Sequence, residues 1–212
     1  MISDNLNSFS ASLSKDVTLV AVSKTKPNEA LMEAYNAGQL DFGENKVQEM
    51  CAKYEALPKN IRWHMIGHLQ RNKVKYIAPF VDLIHSVDSM RLLNEINKQA
   101  AKNNRVIDCL LQLHIAEETS KFGMDYDEVE DTILNESFDH IRIRGLMGMA
   151  SFTENQDQIR AEFEGLHAFY QKHKTPQNWD TLSMGMSGDY ALAIDCGSNM
   201  IRVGSRIFGA RN

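Results

Sequence analysis

Thr18 to Pro27 reads T-L-V-A-V-S-K-T-K-P. A near-continuous apolar run stops abruptly at Ser23 and Lys24, the pattern of a buried parallel strand whose last side chain reaches a ligand-facing surface. Lys24 is therefore the first residue to explain. A lysine held on a rigid strand end among apolar neighbours can be desolvated, which favours the neutral, nucleophilic amine and Schiff-base chemistry. The alternative is an exposed lysine at a strand terminus, since most lysines are surface residues.

Outward from this strand the chain alternates. Asp4 to Ser14 forms a leading helix, with Leu6, Phe9 and Leu13 on one face. Strand one covers Val17 to Ser23, and a helix runs from Pro27–Asn28 to Asn36 with Gly38 as its stop. A short strand, L-D-F-G-E-N, is followed by helix Lys46 to Glu55, strand Arg62 to Ile66, helix Gln70 to Ile77, strand Val81 to Ser86 and helix Ser89 to Lys102. Strand Val106 to His114 leads through Glu117–Met124 to helix Asp127 to Asn135. The last third gives strand Ile141 to Met147, helix Asn155 to His173, strand Thr181 to Met184, helix Ser187 to Cys196 and strand Met200 to Val203.

Eight strands separated by helices, without a hairpin signal, point to a parallel sheet covered by helices. That count favours a closed (β/α)8 TIM barrel, with an open doubly wound sheet as the alternative. No G-x-G-x-x-G follows strand one, which weakens a dinucleotide-binding reading. At 212 residues, with no linker or low-complexity tract, one domain spanning 1–212 is expected.

A formal net charge of −5 favours neither nucleic acid nor anionic membrane as a partner. Cys51, Cys109 and Cys196 form no C-x-x-C pair and no zinc spacing, so a reducing cytoplasm fits best. The first ten residues lack the regions of a signal peptide, and no apolar run approaches spanning length.

In a barrel the functional face lies at the C-terminal strand ends. Polar and glycine residues gather there: Ser23–Lys24, Gly43–Glu44–Asn45, Gly67–His68, His85–Ser86, Gly145 to Ser151, Ser183 to Gly188, and Gly204–Ser205. Strand ends need turn residues in any case, which accounts for the glycines better than for the lysine. In L-S-M-G-M-S-G-D (182–189), Ser187 is expected to open a helix, where unpaired N–H groups favour an anion. Gly204 and Ser205 follow the last strand, so two neighbouring loops can share one phosphate. Arg202, two residues earlier, can reach the same mouth as a permanent donor to a ring nitrogen or carboxylate, or can form a structural ion pair with a carboxylate such as Asp195. A lysine, a phosphate cup and an arginine donor on one face describe a site for pyridoxal 5'-phosphate (PLP).

The chain resembles the pyridoxal phosphate homeostasis protein family, which is similar in fold to the barrel domain of bacterial alanine racemases. The resemblance rests on A-V-S-K-T-K-P (21–27), F-G-E-N-K-V-Q-E (42–49), W-H-M-I-G-H-L-Q-R-N-K-V-K (63–75), H-S-V-D-S (85–89), I-A-E-E-T-S-K-F-G (115–123), G-L-M-G-M-A (145–150), L-S-M-G-M-S (182–187) and I-R-V-G-S-R-I-F-G-A-R (201–211). It implies that Lys24 holds PLP as a Schiff base, that Ser187, Gly204 and Ser205 bind its phosphate, that Arg202 faces the pyridine nitrogen, and that Asn45 and Met147 line the ring. It also implies a monomer that passes PLP to apo-enzymes. The chain departs from the family pattern at Gly188, where a second acidic residue is expected, and at G-S-R (204–206), where G-T-A is commoner.

Other constellations are weaker. His64 and His68 have H-x-x-x-H spacing, but Gly67 and the strand pattern disfavour a helical metal pair. The basic stretch Gln70 to Lys75 suits a phosphorylated ligand or a solvated face. S-x-x-K at 23–26 lacks its companion motifs, and G-M-S-G at 185–188 falls short of a nucleophile elbow. Met147, Met149, Met184 and Met186 suit barrel packing as well as a cofactor wall. Three functions follow: a PLP carrier or regulator without robust turnover, a PLP-dependent amino-acid racemase, or a Schiff-base aldolase acting on a phosphorylated sugar without cofactor.

Overall fold

The computed structural model describes residues 1–118 and 122–209. Parts of two of the quoted stretches, 119–121 and 210–211, lie outside the described residues. Eight parallel strands close into a barrel in sequence order: β1 Thr18–Val22, β2 Asp41–Glu44, β3 Arg62–Met65, β4 Leu83–Val87, β5 Ile107–Leu113, β6 Ile141–Gly148, β7 Thr181–Ser183 and β8 Met200–Val203. Closure is made by β1 on β8, with Thr18 opposite Met200 and Ala21 opposite Val203. This register places the residues after Val22 beside those after Val203, so the two ends of the barrel sequence meet at one point of its mouth. The open sheet is thereby excluded.

The helices are α1 Ile2–Ala11, α2 Asn28–Asn36, α3 Val47–Ala56, α4 Val74–Ile77, α5 Met90–Lys102, α6 Tyr126–Asn135, α7 Gln156–Gln177, α8 Tyr190–Asp195 and α9 Ser205–Phe208. Their starts follow local chemistry. Ser89 accepts from Leu92 N at the head of α5, and Asp125 and Glu128 make a reciprocal capping box on α6. Two expectations shift. The Gln70–Ile77 helix divides into a 3-10 turn at Arg71–Lys73 and the single turn α4. α8 begins at Tyr190 instead of Ser187, because the Asp189 carboxylate accepts from Met186 N at 2.5 Å and holds 186–189 as a turn.

Most of the apolar core lies between the sheet and the helices, including Phe42, Trp63, Ile84, Leu93, Phe163 and Leu182. A smaller cluster of Val20, Leu83, Leu110, Met147 and Met200 fills the barrel interior. α1 ties the ends of the chain together: Asn5 Nδ2 donates to Ile207 O at 3.2 Å, and the Phe9 ring meets Tyr190 edge-on at 5.0 Å. Among the described residues no helix is long and apolar enough to cross a membrane.

Candidate functional site

Alternation along β1 sets the site. Val20 packs inside the barrel, and Val22 and Lys24 line a cavity of about 420 Å³ at its mouth. Ser23, between them, is buried toward the outer helix layer. The same parity on β2 sends Asn45 to the cavity and Glu44 outward beneath α3, so Glu44, expected at the mouth, belongs to the support of the site.

That support is a buried ionic cluster. Lys53 Nζ donates to Glu44 Oε1 at 2.7 Å, Glu49 Oε1 at 2.7 Å and Ser23 O at 2.8 Å. Ser23 Oγ donates to Glu44 Oε1 at 2.6 Å, and Thr25 N donates to Glu49 Oε1 at 2.6 Å. Both neighbours of Lys24 are thus fixed by one cluster. Thr25 sits at φ 64, a left-handed conformation costly for a β-branched residue and sustained here by the bond to Glu49. Burial pushes the Glu44 carboxyl above its ordinary value, and Lys53 and Ser23 oppose that shift.

Across the mouth, Ser187 and Gly188 from the β7–α8 loop and Gly204 and Ser205 after β8 line the same cavity. The loops are joined directly, because Gly204 N donates to Ser187 Oγ at 3.3 Å. A Cβ on Gly204 would stand 2.8 Å from Val22 O, so only glycine allows β8 to end so close to β1. The N–H groups of Ser187, Gly188 and Ser205 donate to no acceptor among the described residues, and the Ser187 and Ser205 hydroxyl protons are likewise available. Such a concave set of donors is suited to an anion. Arg206 explains itself as scaffold: its Nε donates to Ser187 O at 3.2 Å, and its guanidinium lies over the Tyr190 ring.

Arg202 is 3 % exposed and forms the inner wall. Nη1 donates to Ser183 O at 2.9 Å and Ser183 Oγ at 2.6 Å, and Nη2 donates to Gly148 O at 3.1 Å. Its partners are neutral oxygens, so the structural ion pair with Asp195 is not formed. Of its five donors, Nε–H and one Nη2–H remain for a ligand. Burial lowers its pKa to about 10, which leaves it charged at neutral pH.

Of the seven residues expected at the site, Lys24, Asn45, Ser187, Arg202, Gly204 and Ser205 share this cavity. Met147 does not: it is fully buried in the barrel interior, and Met149, two residues on, takes the place in the wall. Sequence reading also missed Val22, Lys26, Ile66, Phe152 and Gly209 as lining residues, whereas it offers Met186 as a cofactor wall or as packing; for Val22 the alternation with Lys24 was the available signal. Lys26 Nζ donates to Phe208 O at 3.1 Å and latches the β1 loop to the end of α9. Among the described lining residues the charged groups are Lys24, Lys26 and Arg202, so the cavity is electropositive. His64 and His68 part company, His64 entering the barrel interior and His68 standing at the surface, stacked on Phe122 and bonded to Asp88.

An amine, an anion cup and a donor pair in one pocket can hold a phosphorylated aldehyde that carries a polar ring. The family model described as alanine racemase, N-terminal domain, matches residues 1–212. A pyridoxal phosphate homeostasis protein of Haemophilus influenzae is 42 % identical over 203 residues, covering 92 % of this chain and 86 % of the relative. The protein of that name from Escherichia coli K12 is 37 % identical over 210 residues, covering 93 % and 87 %. The structure of PipY from Synechococcus elongatus with PLP bound aligns at TM-score 0.90 with 35 % identity, covering 99 % of this chain and 100 % of that one. An alanine racemase from Clostridium difficile shares the fold, at TM-score 0.81, 12 % identity, and 99 % and 56 % coverage.

Proposed function

Because the chain belongs to the pyridoxal phosphate homeostasis protein family, we propose that it binds PLP reversibly and serves intracellular PLP homeostasis, as one barrel spanning 1–212. The observation that carries this reading is the convergence of Lys24, Arg202 and the linked Ser187–Gly204–Ser205 loops on one electropositive cavity. Lys24 is the covalent attachment point, through a Schiff base to the cofactor aldehyde. The donors of Ser187, Gly188 and Ser205 fit the phosphate, with Gly204 joining the two loops that carry them, and one of the two remaining donors of Arg202 fits the pyridine nitrogen. Asn45 and Met149 flank the ring. PLP supplies an electron sink for amine chemistry when bound.

Several features favour carriage over turnover. A permanently charged arginine at the ring nitrogen disfavours ring protonation and so weakens that sink. Racemisation needs acid/base groups on both faces of the substrate. Among the described lining residues there is no tyrosine, histidine or carboxylate to oppose Lys24. We place the protein in the cytoplasm, in keeping with its free cysteines, as a monomer that yields PLP to apo-enzymes.

The test is to load the protein with PLP, incubate it with single enantiomers of amino acids and follow both enantiomers. The reading expects visible absorption that Lys24→Ala removes, with no sustained interconversion. Sustained racemisation transfers the reading to an enzyme. Loading that is indifferent to Lys24 removes the attachment point.

A further inference from the structure

Behind Arg202 a line of buried polar side chains crosses the whole barrel. Ser183 Oγ, which accepts from Arg202 Nη1, lies 3.1 Å from His85 Nδ1. His85 Nε2 lies 2.9 Å from His64 Nδ1, and His64 Nε2 lies 3.0 Å from Asp41 Oδ1. Asp41 is gripped by Arg62 through Nε at 2.7 Å and Nη2 at 2.5 Å, at the opposite end of the strands. Ser183 and His85 are fully buried and His64 nearly so. TIM-barrel interiors are ordinarily filled by branched apolar residues, so a continuous polar line there requires an explanation.

The ends dictate the direction of every link. Arginine can only donate and a carboxylate can only accept. Ser183 Oγ accepts a hydrogen bond from Arg202, which leaves its own proton free for His85 Nδ1 once the links from the Asp41 end leave that nitrogen unprotonated. Neutral His85 then carries its proton on Nε2 and donates to His64 Nδ1. His64 in turn carries its proton on Nε2 and donates to Asp41. Reversing the middle links requires protons on both nitrogens of His64, and therefore another buried cation although Arg62 already neutralises Asp41. Complete burial is the largest influence on His85 and holds its imidazole well below the ordinary value, hence uncharged at neutral pH.

We infer that Ser183, His85 and His64 form a one-way hydrogen-bond relay, anchored on Asp41, that positions Arg202 for the cofactor ring. The positioning role rests on the PLP reading above; the direction of the relay does not. By drawing the Ser183 proton away, His85 turns a lone pair of Ser183 toward Arg202 and fixes Nη1. The Nε–H and second Nη2–H are then held for the ligand. Without the relay the Ser183 hydroxyl can rotate, and Arg202 loses its aim.

Nitrogen-15 spectra of the histidine rings in the ligand-free protein at neutral pH test the direction. Both His64 and His85 are expected neutral and protonated on Nε2; an Nδ1–H tautomer or a doubly protonated ring at either position overturns the relay. The positioning role is read from the absorption maximum of bound PLP. Ser183→Ala, a small change that spares the fold, is expected to shift it in the same direction as Arg202→Ala while borohydride labelling of Lys24 persists. His85→Leu is expected to give that shift and His85→Asn, which keeps an acceptor near the Nδ1 position, to reverse it. An unmoved maximum in Ser183→Ala overturns the positioning role. Failure of the wild type to take up PLP instead overturns the PLP reading, and the spectra of the free protein still decide the direction.

Discussion

Lys53→Met removes the ammonium that joins Glu44, Glu49 and Ser23 O while keeping an apolar side chain of similar length. Glu44, fully buried, would then keep only the Ser23 hydroxyl on Oε1, and its Oε2 already lacks a partner. Stripping one member from a buried ion pair costs about 3–5 kcal/mol, against a typical total stability of about 5–15 kcal/mol. Glu44 can escape part of this by taking up a proton. Its pKa is raised in the folded protein and rises further without Lys53. A carboxyl with a raised folded value binds more protons when folded, so its contribution to stability falls as pH rises through the window above the ordinary glutamate value of about 4.3. The window is wider in the variant. Its deficit against wild type is therefore largest at neutral pH and closes as the solution is acidified below that window. Urea unfolding at neutral and acidic pH measures this, and PLP uptake reports the loosened Ser23–Thr25 loop. Adding Glu44→Gln should recover much of the loss, because a neutral pair carries no stranded charge. A deficit under about 1 kcal/mol at neutral pH, or a double variant no more stable than Lys53→Met, refutes the reasoning.

Asp41 is the mirror case: burial alone would raise its pKa, but hydrogen bonds from Arg62 and His64, together with the Arg62 charge, outweigh it and bring the value down to about 2. Its contribution, on the order of 2 kcal/mol, is present above the ordinary aspartate range and lost as pH falls toward 2, so an acid titration of Asp41→Asn should be shallower than that of wild type. Gly145→Ala should destabilise strongly, because its Cβ would fall 1.8 Å from Thr181 O at a φ of 147; Gly188→Ala, with nothing within 4 Å, should change the unfolding midpoint little. Arg202→Ala should alter the spectrum of bound PLP more than the affinity for inorganic phosphate, which competition experiments can separate.

The fold was legible because strands such as β1, β4 and β5 are short, largely apolar runs between helical stretches, and a helix misjudged by a few residues leaves the strand–helix order intact. Lys24 was legible for a related reason: it ends an apolar run at a position that alternation aims at the mouth. Glu44 and Met147 were misplaced because register and depth decide their surroundings. One residue along β2 separates a wall position from a buried ion pair, and one layer along β6 separates Met147 in the interior from Met149 at the cavity. The relay was invisible for a different reason, since His64, His85 and Ser183 lie on three separate strands and only closure of the barrel brings them into line. Likewise, α9 is a single turn, too short for periodicity to register.

The claim on which the account turns is that one amine and one anion cup share a ligand. Borohydride reduction of the PLP-loaded protein, followed by peptide mapping, tests it most directly. The account predicts a phosphopyridoxyl group on Lys24, absent from Lys26 and diminished when inorganic phosphate competes for the Ser187–Gly204–Ser205 cup. Label spread over other lysines with Lys24 unmodified, or labelling of Lys24 that phosphate leaves untouched, would contradict it.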